Sequence, residues 1–256
     1  MQSFAKLWNG VSCALIALLV SLSIHSDALP HPQGRLAALP RVTLWAWERR
    51  EDLRTISTQR FAVAYLDQTL TIGLTVHAQP RRNALVFPAS ATRIAVVRVE
   101  APSPTAILNP QNRIDAIRSI LVSAREPGIA ALQIDFDATR SQRQFYRDLL
   151  MDLRRQMPAD LPLSITALAS WCSWDNWIRR LPVDEAVPMM FRMEPDHYRA
   201  PPSIDDFQIR EPLCRTSIGV STDEPWPSNF AGKRIYVFPD HGWRNSPPDD
   251  LARRLP

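Results

Sequence analysis

The chain has 256 residues, of which 45% are hydrophobic and 22% are charged, as in an ordinary globular domain with a sizeable core. This composition excludes a disordered chain, and the length fits one α/β barrel. The formal charge of +4 comes almost entirely from arginine, since the only lysines are Lys6 and Lys233. The arginines alternate with acidic residues, as along 143–155, so the charge does not indicate a nucleic-acid partner.

The N-terminal segment 1–28 has the organisation of a secretory signal peptide. Lys6 precedes an uncharged run over 11–24, and a small-x-small cleavage site follows at Ser26-Asp27-Ala28. An uncleaved anchor is the alternative, because 7–24 is just long enough to span a bilayer. We therefore predict a single mature domain over 29–256, periplasmic or secreted, that meets a membrane only if the signal segment stays uncleaved.

Export gives Cys172 and Cys214 a specific meaning. In an oxidising compartment a pair of cysteines can form a disulfide, which we expect here, with two buried thiols as the alternative. No cysteine or histidine spacing resembles a metal site, and no phosphate-binding glycine loop is present. The sequence therefore predicts neither a metal nor a cofactor.

Short β-rich segments alternate with helical patterns through most of the chain, which is typical of βα units in a parallel sheet. We predict a single (β/α)8 barrel of the TIM type. Its candidate strands are Val42–Glu48, Phe61–Leu66, Arg93–Glu100, Ile129–Asp137, Leu163–Ser170, Val183–Met193, Thr216–Asp223 and Arg234–Phe238.

Two of the connecting helices are clearly encoded. Asn109-Pro110 is a cap followed by a proline at the first helical position, and an apolar stripe follows. The second helix has apolar residues at four-residue spacing. The stripes are Ile114, Ile117 and Leu121 in the first helix, and Phe145, Leu149 and Leu153 in the second.

Other connections predict little helix. Between Asp67 and Ser90 the pattern indicates an extra hairpin, with strands at Thr69–Val76 and Leu85–Phe87. The segment from Pro225 to Gly232 resembles a loop. We therefore expect the barrel to be irregular in its first and last quarters.

The fourth predicted strand alternates apolar and polar side chains near its end. The apolar set should face the surrounding helices, which places Gln133, Asp135 and Asp137 inside the barrel. In such barrels the functional site lies at the C-terminal ends of the strands, whereas polar residues at strand starts, such as Asp184 and Glu185, serve stability. Two neighbouring carboxylates repel each other, so one should hold its proton to higher pH.

A carboxyl group with a raised pKa is what glycoside hydrolysis requires to protonate the leaving oxygen. Asp137 is accordingly the candidate general acid, Asp135 would tune or orient it, and Glu100 or Asp223 would be the second carboxylate. The alternative is structural: an inward aspartate could simply pair with Arg98 or Arg192, each of which lies near the end of its own strand.

The segment GIAALQIDFD, 128–137, resembles the fourth-strand motif of family 18 glycoside hydrolases, the chitinase-like barrels, in which alternate positions carry Asp, Asp and a catalytic Glu. By position, Gln133 and Asp135 correspond to the two aspartates and Asp137 to the glutamate. Gln133 and Asp137 thus differ in type from the motif, and the Asp side chain is one methylene shorter than Glu.

A longer resemblance is to an uncharacterised secreted bacterial family, domain of unknown function 3142. It runs through RIAVVRVE (93–100), LQIDFD (132–137), LSITALASW (163–171) and VDEAVPMMFRM (183–193). This resemblance implies the barrel and the importance of Asp135 and Asp137, and it implies no particular reaction.

Aromatic and polar side chains near strand ends suggest a carbohydrate polymer or oligosaccharide as the partner. Flat aromatic rings can stack on the apolar faces of sugars, and the chain has 8 tryptophans. Core packing is the alternative for each of them. The candidate substrate contacts are Trp47, Glu48, Arg98, Gln133, Trp171, Arg192, Asp223 and Trp243.

The sequence therefore favours an exported glycoside-hydrolase-like barrel that acts on or binds a polysaccharide. One rival is a glycan-binding barrel of the cell envelope without catalysis. The other is a metal-dependent hydrolase, in which a ring of carboxylates would hold a hard cation such as Mg²⁺ or Ca²⁺. Its ligands would be Glu48, Glu100, Asp135, Asp137 and Asp223.

Overall fold

The computed structural model describes residues 32–102, 105–193, 207–228 and 230–255. The predicted signal peptide, 1–28, lies outside the described residues. In chain order, the strands are β1 (Val42–Ala46), β2 (Glu51–Asp52), β3 (Phe61–Ile72), β4 (Val76–Pro80), β5 (Leu85–Val86), β6 (Thr92–Glu100), β7 (Ile129–Asp135), β8 (Leu163–Leu168), β9 (Glu185–Met189), β10 (Ser217–Ser221) and β11 (Arg234–Phe238).

Eight of these strands form a closed parallel barrel in the order β1-β3-β6-β7-β8-β9-β10-β11. The barrel closes because β1 pairs in parallel with both β3 and β11. A barrel strand forms in each of the eight segments predicted, although several strands are shorter than predicted. The predicted TIM-type barrel is therefore confirmed.

The described helices are α1 (Pro32–Arg35), α2 (Pro110–Ala124), α3 (Arg143–Gln156) and α4 (Ala169–Ser173), with 3-10 turns at Arg140–Gln142, Asn176–Ile178, Pro212–Cys214 and Pro248–Arg253. Only α2 and α3 are long enough to cover the barrel as standard crossover helices. In the part of the chain that the structure describes, no helix is both long and apolar enough to cross a bilayer.

The two long helices begin and pack largely as predicted. The side chain of Asn109 caps α2 by accepting a hydrogen bond from the Asn112 backbone N–H at 2.8 Å. In α3, the predicted apolar stripe is buried. The prediction for α2 was wrong at Ile114, which is 49% exposed, because the buried face is rotated toward Ala116 and Ile120.

The first quarter of the barrel is irregular, as expected, but its hairpin differs from the prediction. The strand β3 continues past the barrel to Ile72, and after a short turn at Gly73 β4 returns antiparallel to it. The second predicted hairpin strand instead pairs as β5 with β2, joining Glu51 to Leu85. The end of β3 thus pairs with β4 on one side and with β6 on the other, while Leu85 and Val86 pair with β2.

Side-chain alternation separates two buried layers. Leu132 and Ile134 of β7 belong to the layer between the barrel and its helices. Ala131 of the same strand faces the barrel interior, where it packs in a cluster with Trp45 and Tyr236. The polar residues Gln133 and Asp135 share this inward face, as the alternation predicted.

The acidic pair at the start of β9 is structural. The carboxylate of Asp184 accepts hydrogen bonds from Arg35 at 2.9 Å and Arg154 at 2.7 Å. Glu185 accepts from Arg234 at 2.7 Å and from the Tyr236 hydroxyl at 2.6 Å. These buried ion pairs close the end of the barrel opposite the candidate site.

The predicted disulfide is present between Cys172 in α4 and Cys214 in the 3-10 turn before β10, with the Cα atoms 5.8 Å apart. The backbone carbonyl of Cys172 also accepts from the N–H groups of Arg210 and Glu211. The bond therefore ties the loop that follows β8 to the segment that precedes β10.

Candidate functional site

Asp135 is fixed at the C-terminal ends of the strands, which we call the mouth of the barrel. Its side chain is 3% exposed, and Oδ2 accepts from Arg98 Nη1 at 2.7 Å. Its other oxygen accepts from the hydroxyl of Thr166 at 2.7 Å. Because β6 and β8 flank β7, one neighbouring strand supplies each donor. Asp135 thus has both oxygens occupied and a fixed orientation.

Arg98 connects Asp135 to two further predicted site residues. Its Nε donates to Oε1 of Glu100 at 3.1 Å. Its guanidinium carbon lies 5.7 Å from the ring centroid of Trp47, within the range of a cation–π contact. One arginine therefore holds two carboxylates and one indole ring of the mouth together.

Asp137 lies two residues beyond Asp135, just after β7, and is exposed. Within the described residues, no hydrogen bond or ion pair reaches its carboxyl group. Although the side chain meets solvent, the protein around the carboxyl group desolvates it and raises its pKa. The negative charge of Asp135 raises the pKa further, and Arg98 opposes the effect. Asp137 is thus an accessible acid that holds its proton more tightly than an ordinary aspartate.

Gln133 lies beneath these residues and is fully buried. It accepts from Trp45 Nε1 at 2.8 Å and donates to the Ser164 hydroxyl at 3.0 Å. Gln133 was predicted to contact substrate, and the structure places it inside the barrel with both ends of its amide hydrogen-bonded. Its contact with Trp45 supports Trp47, whose ring centroid lies 4.3 Å from that of Trp45.

The three predicted aromatic platform residues separate into one surface residue and two core residues. Trp47 is half-buried at the mouth. Trp171 and Trp243 are each only 2% exposed, so they do not form an open platform. Trp171 packs edge-on against Trp177, and Trp243 donates its indole N–H to the Trp45 carbonyl at 2.9 Å. Trp171 belongs to α4, whereas Trp243 lies in the loop that follows β11.

Glu48 holds a loop in place. Its carboxylate accepts from the backbone N–H groups of Arg82 at 3.1 Å and Asn83 at 2.8 Å, and from the Asn83 side chain. Desolvation alone would raise its pKa, but these hydrogen bonds outweigh that effect and the pKa is lowered. Glu48 therefore stays ionised and already has partners.

Arg192 and Asp223 form part of a second polar cluster at the ends of β9 to β11. Arg192 pairs with Asp240, and its backbone N–H donates to Glu224 at 3.0 Å. Asp223 accepts from the Ser221 hydroxyl, which lowers its pKa. This cluster lies on a different arc of the mouth from β6, β7 and β8. The structure thus joins Trp47, Glu100 and Asp135 through Arg98, with Asp137 two residues beyond Asp135. Arg192 and Asp223 have other partners, Asp240 and Ser221, at the ends of β9 to β11.

Over the described ranges, no group of three or more His, Cys, Asp or Glu side chains is arranged to hold a metal ion. The carboxylate ring of the metal-dependent alternative is not assembled there. Its proposed members are instead engaged separately, with Glu48 on a loop and Asp135 on Arg98.

The sequence analysis missed Thr166. The signal for it was available, because Ser164 and Thr166 alternate with the apolar residues of β8 as Gln133 and Asp135 do in β7. In the sheet, Ser164 lies in register with Gln133. The next inward position of β8 therefore meets Asp135.

Comparison with known proteins agrees with the sequence resemblance. Residues 90–187 match the model of a family described as a domain of unknown function, DUF3142. The central part of this chain matches that family. The matched segment includes β6, α2, β7, α3 and β8, and with them Arg98, Asp135 and Asp137.

No curated protein matches the chain. Among solved structures, the chain is similar to the chitinase domain of the spore coat protein CotE from Clostridium difficile, with 14% identity and a TM-score of 0.42. The match covers 68% of this chain and 57% of that chain, so it spans little more than half of the chitinase domain's chain.

Proposed function

We propose that this barrel is an exported glycoside hydrolase that cleaves a polysaccharide at the mouth, with Asp137 as its general acid. The observation that carries this proposal is the contrast between two neighbouring aspartates. Asp135 is buried and fully hydrogen-bonded, whereas Asp137 is accessible, without a partner in the described structure, and has a raised pKa. A general acid must reach the substrate and hold its proton, and of the two aspartates Asp137 has both properties.

In this proposal the protonated carboxyl of Asp137 donates its proton to the glycosidic oxygen as the bond to the sugar carbon breaks. The sugar carbon forms its new bond either with the second carboxylate, whose ester water then hydrolyses, or with a water molecule that the second carboxylate deprotonates. Asp135 is a positioning residue, because its fixed negative charge keeps the proton on Asp137. Arg98 and Thr166 act through Asp135 by holding it in place. Trp47 is half-buried, with Arg98 over its ring and Trp45 packed beside it, so a sugar would meet the part of the indole that these contacts leave exposed.

Glu100 is the second carboxylate that we favour. It ends β6, which neighbours β7, and its side chain is 48% exposed with one oxygen on Arg98. Asp223 lies on the other arc of the mouth and is the less suitable residue. A carboxyl separation of about 5 Å would give retention of configuration, and about 6.5–9.5 Å would give inversion.

One observation favours a glycan-binding barrel without catalysis as the second candidate. Arg98 contacts both Asp135 and Glu100, so two of the acids near Asp137 are already held by the same cation. A base or nucleophile must be free to act, and an engaged Glu100 would leave a binding surface only.

The test is release of reducing ends from a panel of bacterial and plant polysaccharides by the mature protein and by Asp137→Asn. Asp160→Asn is the matched control, because Asp160 is exposed and precedes β8 at the opposite end of the barrel. The proposal expects release by the native protein and the control, and loss in Asp137→Asn with folding intact. Equal release by all three proteins would contradict it. Glycan binding without release by any of them would establish the second candidate instead.

A further inference from the structure

A cavity of about 550 Å³ adjoins the candidate site. Another cavity, of about 620 Å³, is lined by residues such as Leu36 and Arg41 and does not adjoin the site. The cavity of about 550 Å³ lies at the mouth, between the loops that follow β7 and β8. Its lining begins with Ala138 and Thr139, immediately after Asp137, and continues through Leu168 and Ser170. Its volume is within the range of small-molecule sites.

The walls of this cavity combine an indole ring, an aliphatic side chain and hydroxyl groups. Trp174 is half-buried in the lining and also packs against Phe207, with 5.8 Å between the ring centroids. Leu168 is an apolar residue that is 38% exposed. Thr139 and Ser170 supply hydroxyls. Such a mixture of flat apolar surface and hydrogen-bonding groups suits a sugar ring.

The charge of the cavity is set by Arg140. Asp175 also lines the cavity, but it is paired with Arg143, which in turn lies 5.3 Å from the Trp177 ring centroid. Arg140 is exposed and, among the described residues, has no carboxylate partner. The lining is therefore left with one unneutralised positive charge, on a guanidinium group that can bind a carboxylate through two hydrogen bonds.

We propose that this cavity is a sugar-binding subsite next to Asp137 that takes an acidic sugar residue, with Trp174 against the ring and Arg140 on its carboxylate. This proposal deepens the proposed function, since it assigns the substrate class to acidic polysaccharides. The sugar bound here would be a neighbour of the residue whose bond is cleaved.

Binding can be tested apart from catalysis in the Asp137→Asn background. The probes are polygalacturonate, alginate and hyaluronan oligosaccharides, each compared with its carboxyl-reduced form by calorimetry. We expect at least one acidic probe to bind better than its reduced form. Arg140→Gln should weaken that binding by about tenfold or more and leave the reduced form unaffected. Arg140→Lys should restore part of the affinity, and Trp174→Ala should weaken both forms.

Arg125→Gln is the matched control, because Arg125 is also exposed but follows α2 at the opposite end of the barrel. No preference for any acidic probe, or equal affinities of Arg140→Gln and the control, would overturn the subsite. Binding that depends on Arg140, with no cleavage by the native protein, would refute the hydrolase and leave the subsite standing. Cleavage by the native protein, with an affinity that does not depend on Arg140, would refute the subsite and leave the hydrolase standing.

Discussion

Arg98 and Asp135 lie opposite each other in the register of β6 and β7, and their side chains form an ion pair of 2.7 Å between Nη1 and Oδ2. Asp135 is nearly inaccessible to water, whereas 31% of the Arg98 side chain is exposed. The pair therefore places a buried negative charge below the mouth and covers it with a cation that also reaches the surface. Asp137, just above, is affected by both charges.

Replacing Arg98 with Gln should destabilise the barrel, because it leaves the buried Asp135 carboxylate without its ionic partner. The expected loss in the free energy of unfolding is about 2–4 kcal/mol, reduced from the cost at a fully buried pair because Arg98 is partly exposed. Urea unfolding measures it. Arg118→Gln is the control, since its pair with Asp115 is on the surface and should cost less than about 1 kcal/mol. Equal losses in the two variants would contradict the importance of the buried pair.

The pH dependence of hydrolysis should report the proton on Asp137. Activity requires the protonated carboxyl, so kcat/KM should fall as the pH rises through the pKa of Asp137, which lies above its ordinary value. Asp135→Asn removes the neighbouring negative charge and should lower that pKa. The alkaline limb of the kcat/KM profile should then move to lower pH. A limb that stays in place, or moves to higher pH, would show that another group controls it.

Asp137→Asn should leave the protein as stable as the native chain or make it more stable at pH 7. The raised pKa means that the fold disfavours the ionised carboxylate, so the native protein is penalised above that pKa. The penalty disappears as the pH falls toward the unfolded value of about 3.9. Urea unfolding of both proteins at several pH values should show the gain shrinking with acidification. If Asp137→Asn were less stable than the native protein at pH 7, and the difference disappeared in acid, this prediction would be contradicted.

Gln133→Leu should weaken the core under the mouth. It leaves Trp45 Nε1 and the Ser164 hydroxyl without their hydrogen bonds to the amide, at a cost of about 2–4 kcal/mol in the free energy of unfolding. The near-ultraviolet circular dichroism should change as well, because Trp45 packs on Trp47. Unchanged stability and spectrum would mean that the amide does not fix these rings.

Cys172→Ala with Cys214→Ala should lower the free energy of unfolding by about 2–4 kcal/mol, because the bond closes a loop spanning 42 positions in sequence. Thermal unfolding of the native protein with and without reductant gives the same comparison without mutation. Two free thiols in the folded protein purified without reductant, found by mass spectrometry, would contradict the bond.

The barrel and its central acids could be predicted because both depend on local patterns. Alternation in β7 is enough to turn Asp135 inward, and strand order then places its end at the mouth. The tryptophans could not be assigned in the same way. Trp171 and Trp243 follow strands as Trp47 does, yet they are buried, because Trp171 packs against Trp177 and Trp243 donates its indole N–H to the Trp45 carbonyl.

Local patterns also could not predict which side chains pair between different strands and loops. Arg98 and Arg192 both lie near strand ends, and only the three-dimensional arrangement decides that Arg98 meets Asp135 while Arg192 meets Asp240. The hydrogen-bond partners of Gln133 could not be predicted for the same reason. Its polarity marked it as an inward residue, but its partner Trp45 lies on a strand 88 positions away in sequence.

The most direct test of Asp137 as the general acid is the dependence of hydrolysis on the leaving group. The native protein and Asp137→Asn would be compared on aryl glycosides of the cleaved sugar, with phenol leaving groups of decreasing pKa, and on the natural linkage. A good leaving group departs without a proton, so the variant should lose activity on the natural linkage and retain much of it on the most acidic phenol. An equal loss on every substrate would contradict the assignment of Asp137 as the acid.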